Sequence, residues 1–229
     1  MPFTYEYPRP ALTVDAVIFG LDEDELKILL IQRAGEPFKG QWAFPGGFVD
    51  MDETTEKAVL RELEEETGIK DVFLEQLYTF SGVDRDPRER VVSVAYFGLV
   101  KPAGIQMAAA SDAQDVQWFA IDDIPELAFD HAEILDVALK RLRGKIRYEP
   151  IGFELLPKEF IMSQLLKLYS NALRKPIDKR NFIRKIKKLG ILNELDKKRR
   201  DGAHRPATLY SFNRKKYEQL KEAGIDFEI

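Results

Sequence analysis

The chain has 229 residues, a formal net charge of −4, a hydrophobic content of 45% and no cysteine. Its length suffices for one large or two modest domains, and the lack of thiols excludes disulfides and thiolate metal sites. No apolar run reaches the about 18 residues of a membrane span, and no basic segment with an apolar core opens the chain. We therefore expect a cytoplasmic protein without a signal peptide or a membrane partner.

Charge is divided unevenly along the chain. Residues 151–229 hold 19 basic and 10 acidic residues, a net charge of +9, whereas residues 1–150 hold 16 and 29, a net charge of −13. The helix breakers Pro150 and Gly152 stand at the junction. We expect two domains, 1–150 and 151–229, and a basic second domain favours nucleic acid as its partner.

The first domain is predicted to alternate strands with two helices. Apolar runs between turn residues predict strands, and an apolar face of period 3.6 predicts a helix. The predicted strands are 11–19, 26–32, 72–79, 91–97 and 116–119, and the predicted helices are 53–67 and 131 to about 145. We expect the second helix to end near Gly144.

A glycine turn at Gly46 and Gly47 precedes the first predicted helix, and Gly68 is suited to end that helix. Three carboxylates share one helix face, because they stand at i, i+3 and i+4: Glu62, Glu65 and Glu66. They repel one another by a few tenths of a kcal/mol per pair, and a hard cation such as Mg²⁺ would reverse that repulsion. A solvated acidic helix face would show the same three residues.

The spacing of the whole stretch decides between a metal site and a solvated acidic helix face. From Gly47 to Ile69 it reads G-x5-E-x7-R-E-L-x-E-E-x-G-I. This resembles the Nudix box at every defined position. The resemblance implies an α/β protein, an α/β/α sandwich with a mixed sheet, which binds or hydrolyses a nucleoside diphosphate derivative with Mg²⁺ or Mn²⁺.

The same resemblance assigns roles to residues of the box. It implies metal ligation by the Gly47 carbonyl and by Glu62, Glu65 and Glu66. These three glutamates and Arg61 are the predicted catalytic residues. Arg61 is also expected to pair with Glu53 as scaffolding that orients the loop and the helix.

Three arginines outside the box are candidate substrate ligands. Arg33 ends a predicted strand, and Arg85 and Arg88 lie in a loop before the next strand. Their planar donor forks suit phosphate oxygens, although a solvated turn pinned by Asp–Arg pairs fits the loop as well. The Arg-Asp-Pro-Arg string resembles the signature of ADP-ribose-type Nudix proteins, which implies hydrolysis of ADP-ribose to AMP and ribose 5-phosphate.

The general base is left open by the sequence. Asp112 and Asp115 are possible bases, because some Nudix proteins take the base from this region, but either residue fits an ordinary turn acid better. His131 is expected to satisfy a helix end or line a pocket, and we assign it no catalytic role.

The basic domain is predicted to contain a helix, a turn and a second helix, with Ser163 and Asp178 as the two N-caps. The second helix, 179–189, has an apolar face and a basic face, which suits a helix entering a major groove. A hairpin wing is predicted between 191–193 and 208–212. The expected DNA contacts are Arg180, Arg184, Lys187 and Lys188 on the helix and Lys198, Arg200 and Arg205 on the wing.

The second domain resembles the winged helix of NrtR-type regulators. The strings that carry this resemblance are FELLP at 153–157, DKRNF at 178–182 and GAHRPA at 202–207. It implies a homodimer that binds double-stranded DNA and senses ADP-ribose or a related nucleotide. Since the box keeps all its glutamates, we expect hydrolysis to be retained. The alternatives are a housekeeping pyrophosphatase whose basic module dimerises, and a sugar-responsive regulator with a non-catalytic Nudix domain.

Overall fold

A computed structural model of the protein describes residues 5–22, 25–70, 72–102, 113–199 and 206–223. The chain forms two compact units, residues 1–20 with 27–139 and residues 21–26 with 140–229. The division at 139/140 falls inside a helix, whereas the sequence places the domain boundary at residue 150. No helix among the described residues is long and apolar enough to cross a membrane.

The first unit is built on one mixed sheet. Its elements are β1 (Ala11–Asp22), β2 (Glu25–Arg33), β3 (Trp42–Ala43), β4 (Gly46–Phe48), α1 (Thr55–Thr67), β5 (Leu74–Phe80), β6 (Val91–Val100), β7 (Ala113–Ala120) and the first part of α2 (His131–Tyr148), whose residues from 140 onward belong to the second unit. The strand order is β3-β2-β1-β6-β5, with β4 pairing with β1 and β7 with β2. β1 and β6 are parallel, whereas β4 runs antiparallel to β1 and β5 antiparallel to β6.

The core of this unit forms where β1 and β2 cross the centre of the sheet. Seven successive residues of β1 are buried, which is typical of a strand covered on both faces. Val59 and Leu63 of α1 belong to the same buried cluster as Val14 and Ile31. Their i, i+4 spacing turns both side chains to the sheet. The mixed sheet with its helices confirms the predicted fold class.

The second unit combines helices with a three-stranded sheet. Its elements are α3 (Gly152–Leu155), β8 (Phe160–Ile161), α4 (Met162–Leu173), α5 (Lys179–Leu189), β9 (Leu192–Arg199), β10 (Ala207–Phe212) and α6 (Arg214–Glu222). The strands pair in the order β8-β10-β9, antiparallel throughout. The predicted helix, turn, helix and wing are therefore all present.

Several predicted boundaries are wrong. α4 begins at Met162, one residue before the predicted cap Ser163, and the Gln164 side chain accepts the N–H of Ile161. α2 continues through Gly144 to Tyr148. A single glycine costs a helix only about 1 kcal/mol, and burial of the whole Ile146 side chain offsets that cost. The sequence did not predict β3, β4, α3, β8 and α6.

Candidate functional site

The glycine turn and α1 bring two glutamates against the same short backbone segment. The Gly46 N–H donates to Oε2 of Glu66 over 2.9 Å, and the Glu66 residue is only 5% exposed. A Cβ atom on Gly47 would lie 2.3 Å from Oε1 of Glu62. A side chain at position 47 would therefore displace the Glu62 carboxylate from the glycine turn.

Arg61 links the carboxylates of the box. Its guanidinium donates to both Glu53 oxygens, over 2.6 and 3.2 Å, and its Nη1 lies 2.8 Å from Glu62 and 3.1 Å from Glu65. These hydrogen bonds, above all those that Arg61 donates to Glu53, raise the pKa of Arg61. Burial raises the pKa of Glu62, although the hydrogen bond and the positive charge of Arg61 oppose this. The predicted Glu53–Arg61 pair is present.

The donor set at this turn suits a hard divalent cation. Glu62 and Glu66 are carboxylates with little solvent around them, and both lie against the backbone of the glycine turn. Glu65 is half exposed and turned to Arg61. Among the described residues no three acidic or histidine side chains lie close enough to hold one ion. In this arrangement Arg61 supplies the positive charge that Glu62 and Glu65 need.

A cleft of about 370 Å³ opens beside the glycine turn. It is lined by parts of β1 and β2, by Gly46, Gly47 and Glu66, by the loop 85–88 and by the start of α2. All three predicted substrate arginines, Arg33, Arg85 and Arg88, line it. The structure thus brings these arginines and the glycine turn of the box to one cleft.

The three arginines differ in how they are held. Arg85 is 6% exposed and forms a double hydrogen bond with Asp130, over 2.7 and 2.8 Å. Arg88 forms a similar pair with Asp86 but remains 40% exposed. The Arg33 Nε donates to the Pro37 carbonyl. These contacts favour a structural role for Arg85 and leave Arg88 as the more accessible cation.

A buried charge network that the sequence did not reveal lies in the wall of the cleft. Asp15 of β1 accepts a hydrogen bond from Ser93, lies 3.7 Å from Nη2 of Arg85 and places Oδ1 3.4 Å from Nε2 of His131. The only signal in the sequence was an acidic residue in the middle of an otherwise apolar strand. A charge at such a position is rarely buried unless it is paired.

His131 fills the position predicted for it, at a helix start and in the cleft wall. Its Nδ1 accepts the Phe44 N–H over 2.9 Å, so the proton is assigned to Nε2, which faces Asp15. Burial lowers the pKa of His131, although the carboxylates of Asp15 and Asp130 oppose this. The imidazole is therefore a neutral structural group at pH 7.

Of the two candidate bases, Asp115 is the one that the described residues include. The carboxylate of Asp115 accepts hydrogen bonds from the Val116 N–H and the Gln117 side chain, over 2.8 and 2.6 Å, and it does not line the cleft. Asp112 lies outside the described residues. The general base therefore stays open.

The second unit presents a basic helix. Asp178 caps α5 as predicted, because its side chain accepts the Asn181 N–H over 2.7 Å. Phe182 and Ile186 are buried, whereas the four predicted contact residues are exposed: Arg180, Arg184, Lys187 and Lys188. Arg184 donates to the Asn181 side chain. α5 thus has the amphipathic form of a recognition helix.

The wing is described only in part. Lys198 is exposed on β9, but Arg200 and Arg205 lie outside the described residues. The neighbours of Lys198 are tied to the body of the unit, since Lys197 pairs with Glu159 and Arg199 donates to Gln164. Lys197 and Lys198 therefore both stay on the surface of the wing, and Lys197 is paired with Glu159.

Comparison with known proteins assigns both units. A model of the NUDIX domain matches residues 10–138, and a model of the NrtR DNA-binding winged helix domain matches residues 152–212. The ADPR responsive transcriptional repressor NtrR of Acinetobacter baylyi is 36% identical over 93% of this chain and 86% of its own length. The chain belongs to the NrtR-type branch of the Nudix family.

Two further relatives of this NrtR-type chain bear on its parts. The ADP-ribose pyrophosphatase of Methanocaldococcus jannaschii is 43% identical over 56% of the chain and 73% of its own length. Shewanella oneidensis NrtR complexed with a 27mer DNA is 36% identical, with a TM-score of 0.77 over 90% of this chain and 95% of that one. The NUDIX domain of that NrtR, complexed with ADP ribose, is 39% identical with a TM-score of 0.56 over 59% of this chain and 90% of that one.

Proposed function

We propose that this protein is a transcription regulator that binds ADP-ribose or a closely related nucleotide in its Nudix domain and DNA through its winged helix. The observation that carries the proposal is the pairing of two surfaces in one chain. One is the arginine-lined cleft beside Glu66, and the other is the exposed basic face of α5. The relatives support each half, since one is named ADPR responsive and another was solved with DNA.

In the cleft, this chain's own residues bind and orient a diphosphate. Arg88 and Arg33 supply charge-assisted hydrogen bonds to phosphate oxygens, and Arg85 fixes the start of α2 through Asp130. Mg²⁺ or Mn²⁺, held by the Gly47 carbonyl with Glu62, Glu65 and Glu66, would neutralise phosphate charge and lower the pKa of a bound water. Arg61 pairs with Glu62 and Glu65, over 2.8 and 3.1 Å.

We also propose that hydrolysis is retained. Water would be added across the phosphoanhydride bond of ADP-ribose, giving AMP and ribose 5-phosphate. The support is that all the box glutamates are present and that the Nudix domain is 43% identical to an ADP-ribose pyrophosphatase. The proposal also includes two domains, 1–150 and 151–229. It further includes a homodimer, whose two recognition helices would contact successive half-sites on the DNA.

Hydrolysis is tested by incubating the purified chain with ADP-ribose and Mg²⁺ and measuring AMP by chromatography. We expect AMP from the wild type and none above the metal-free background from Glu62→Gln. Glu64→Gln is the matched control, because Glu64 lies on the same helix but pairs with Lys70 at the surface. Equal AMP release from all three proteins would contradict the assigned metal ligands.

DNA binding is tested by a mobility-shift assay with the DNA upstream of the protein's own operon. We expect a complex at low salt that weakens steeply as salt rises, because phosphate contacts release counterions. ADP-ribose should change the fraction of DNA bound. If the chain forms no complex with any upstream DNA, even in dilute buffer, the proposed regulatory function is contradicted and the pyrophosphatase activity alone is left as the proposal.

A further inference from the structure

Phe129 has an unusual backbone for its place in the cleft. It lines the cleft directly before α2, and its φ angle of 53° is in the left-handed region. A residue with a Cβ atom costs of order 1 kcal/mol there, whereas glycine costs almost nothing. Such strained residues persist where their surroundings hold them, and they cluster at ligand sites. The contacts of the phenyl ring should therefore explain why a phenylalanine occupies this position.

The ring stands between aromatic residues and two of the cleft arginines. Phe38 packs edge-on at 4.7 Å between ring centroids, and His131 lies at 5.6 Å. The Arg33 Cζ is 4.8 Å from the ring centroid and the Arg88 Cζ is 5.8 Å from it. Both distances fall within the about 6 Å over which a cation is attracted to a ring face.

This kind of contact suits an arginine that must bind an anion. A ring face attracts a guanidinium through its quadrupole and contains no hydrogen-bond acceptor, so it does not consume N–H donors. A carboxylate in the same place would take those donors and would repel a phosphate. Arg85 shows this second situation, since both oxygens of Asp130 are bonded to it and its side chain is only 6% exposed. Both oxygens of Asp86 are bonded to Arg88 as well, but the Arg88 side chain stays 40% exposed.

We propose that Phe129 is a positioning residue, whose ring holds the guanidinium groups of Arg33 and Arg88 for binding one diphosphate group in the cleft. The proposal rests on the proposed function, because it names the group within ADP-ribose that these arginines recognise. The αL backbone places the ring between the arginines, and preorganised cations lose less side-chain entropy when the ligand binds.

The test compares two variants of the full chain by isothermal titration calorimetry. The probes are ADP-ribose and inorganic pyrophosphate, each titrated with EDTA and again with Ca²⁺. Phe129→Leu removes the ring but keeps a Cβ atom, so the backbone cost is unchanged. We expect it to weaken the binding of both probes by roughly three- to tenfold. Phe129→Tyr keeps the ring and should bind within about twofold of the wild type.

A double-mutant cycle separates positioning from a merely structural role. If Phe129 acts through the arginines, Phe129→Leu should cost clearly less affinity in an Arg33→Gln or Arg88→Gln background than in the wild type. Thermal unfolding of each variant checks the fold. Phe129→Met, which also lacks a ring, replaces Phe129→Leu should that variant not fold.

Three results with the variants would overturn the proposal. These are wild-type affinity in Phe129→Leu, full additivity with both arginine variants, and weakened ADP-ribose binding with unchanged pyrophosphate binding. The last result would mean that the ring touches the nucleoside itself. A wild type that binds pyrophosphate but not ADP-ribose would contradict the proposed function, while the Phe129 comparison is still decided with pyrophosphate. A wild type that binds neither probe would overturn both.

Discussion

Arg85, Asp130, Asp15 and His131 connect the loop 85–88, β1 and the start of α2 in the wall of the cleft. All four side chains are at least 86% buried, so each charge depends on its partners for the stabilisation that water would otherwise provide. A buried ion pair is weak evidence for net stability, but removing one partner leaves the other charge uncompensated. The network is therefore sensitive to single substitutions.

Asp130→Asn should lower the free energy of unfolding by about 3 kcal/mol. This value is the lower end of the range for a broken buried ion pair, because Asp15 still lies near Arg85 in the variant. Glu133→Gln is the control, since Glu133 is an exposed acid in the first turn of the same helix. It should change stability by less than about 0.5 kcal/mol. Urea unfolding of both variants gives the comparison, and equal stabilities would show that Arg85 does not need Asp130.

His131 predicts a pH dependence. Its pKa is lowered by burial, so the unfolded chain takes up a proton at a higher pH than the folded chain does. The contribution of His131 is fully present above pH 6.5 and should be lost as the pH falls from there towards its lower folded pKa. His131→Asn keeps an acceptor for the Phe44 N–H but does not titrate.

Thermal unfolding between pH 7.5 and 5 should therefore show a flatter profile for His131→Asn than for the wild type. The second histidine, His204, is present in both proteins and cancels in the difference. Parallel profiles would mean that His131 is not the group that titrates in this range.

Glycines in α1 and α2 show how position within an element decides the effect of a residue. Gly68 caps α1 with a φ angle of 75°, and its N–H donates to the Glu64 carbonyl. Gly144 lies inside α2, and nothing lies within 4 Å of where its Cβ atom would be. The sequence suggested a stop at both glycines, and only Gly68 is one.

Substituting alanine at these two positions should have opposite effects. Gly68→Ala should destabilise the protein by about 1 kcal/mol, because a Cβ atom is strained in the left-handed region. Gly144→Ala should stabilise it by roughly 0.5–1 kcal/mol, because alanine loses less entropy in a helix. Scanning calorimetry measures both shifts. Destabilisation by Gly144→Ala would mean that α2 does not run continuously past residue 144.

Across the whole molecule, opposite charges are segregated along the chain. The first 150 residues carry a net charge of −13 and the remainder +9. An acidic domain repels the DNA backbone, so DNA affinity must come from the basic domain alone. In the proposed regulator, a ligand that changes DNA affinity by some factor must have its own affinity changed by DNA by the same factor.

Two substitutions in the basic domain should separate base contacts from phosphate contacts. Lys198→Gln should weaken binding to all DNA sequences alike and reduce the slope of log affinity against log salt by about 1. Arg184→Gln should cost about 1–3 kcal/mol on the operator but little on unrelated DNA. Fluorescence anisotropy at several salt concentrations measures both. Identical behaviour of the two variants would contradict the division between helix and wing.

Some properties of this protein are determined by its sequence alone. The regular spacing of Glu62, Glu65 and Glu66, the Gly68 stop and the Asp178 cap depend on neighbours within a few residues, which are visible in the chain. The composition of the second domain and the periodicity of α5 likewise indicate a basic amphipathic helix. Local spacing and local hydrogen bonds are enough for these predictions.

Other properties were decided only by the tertiary structure. The pairing of Arg85 with Asp130, 45 residues away, made a predicted phosphate ligand into a buried structural cation. Glu66 lies on an acidic helix face but is buried, and its carboxylate accepts a hydrogen bond from the Gly46 N–H of another element. Partners that come from distant elements are set by the packing of the sheet, and no local pattern encodes them.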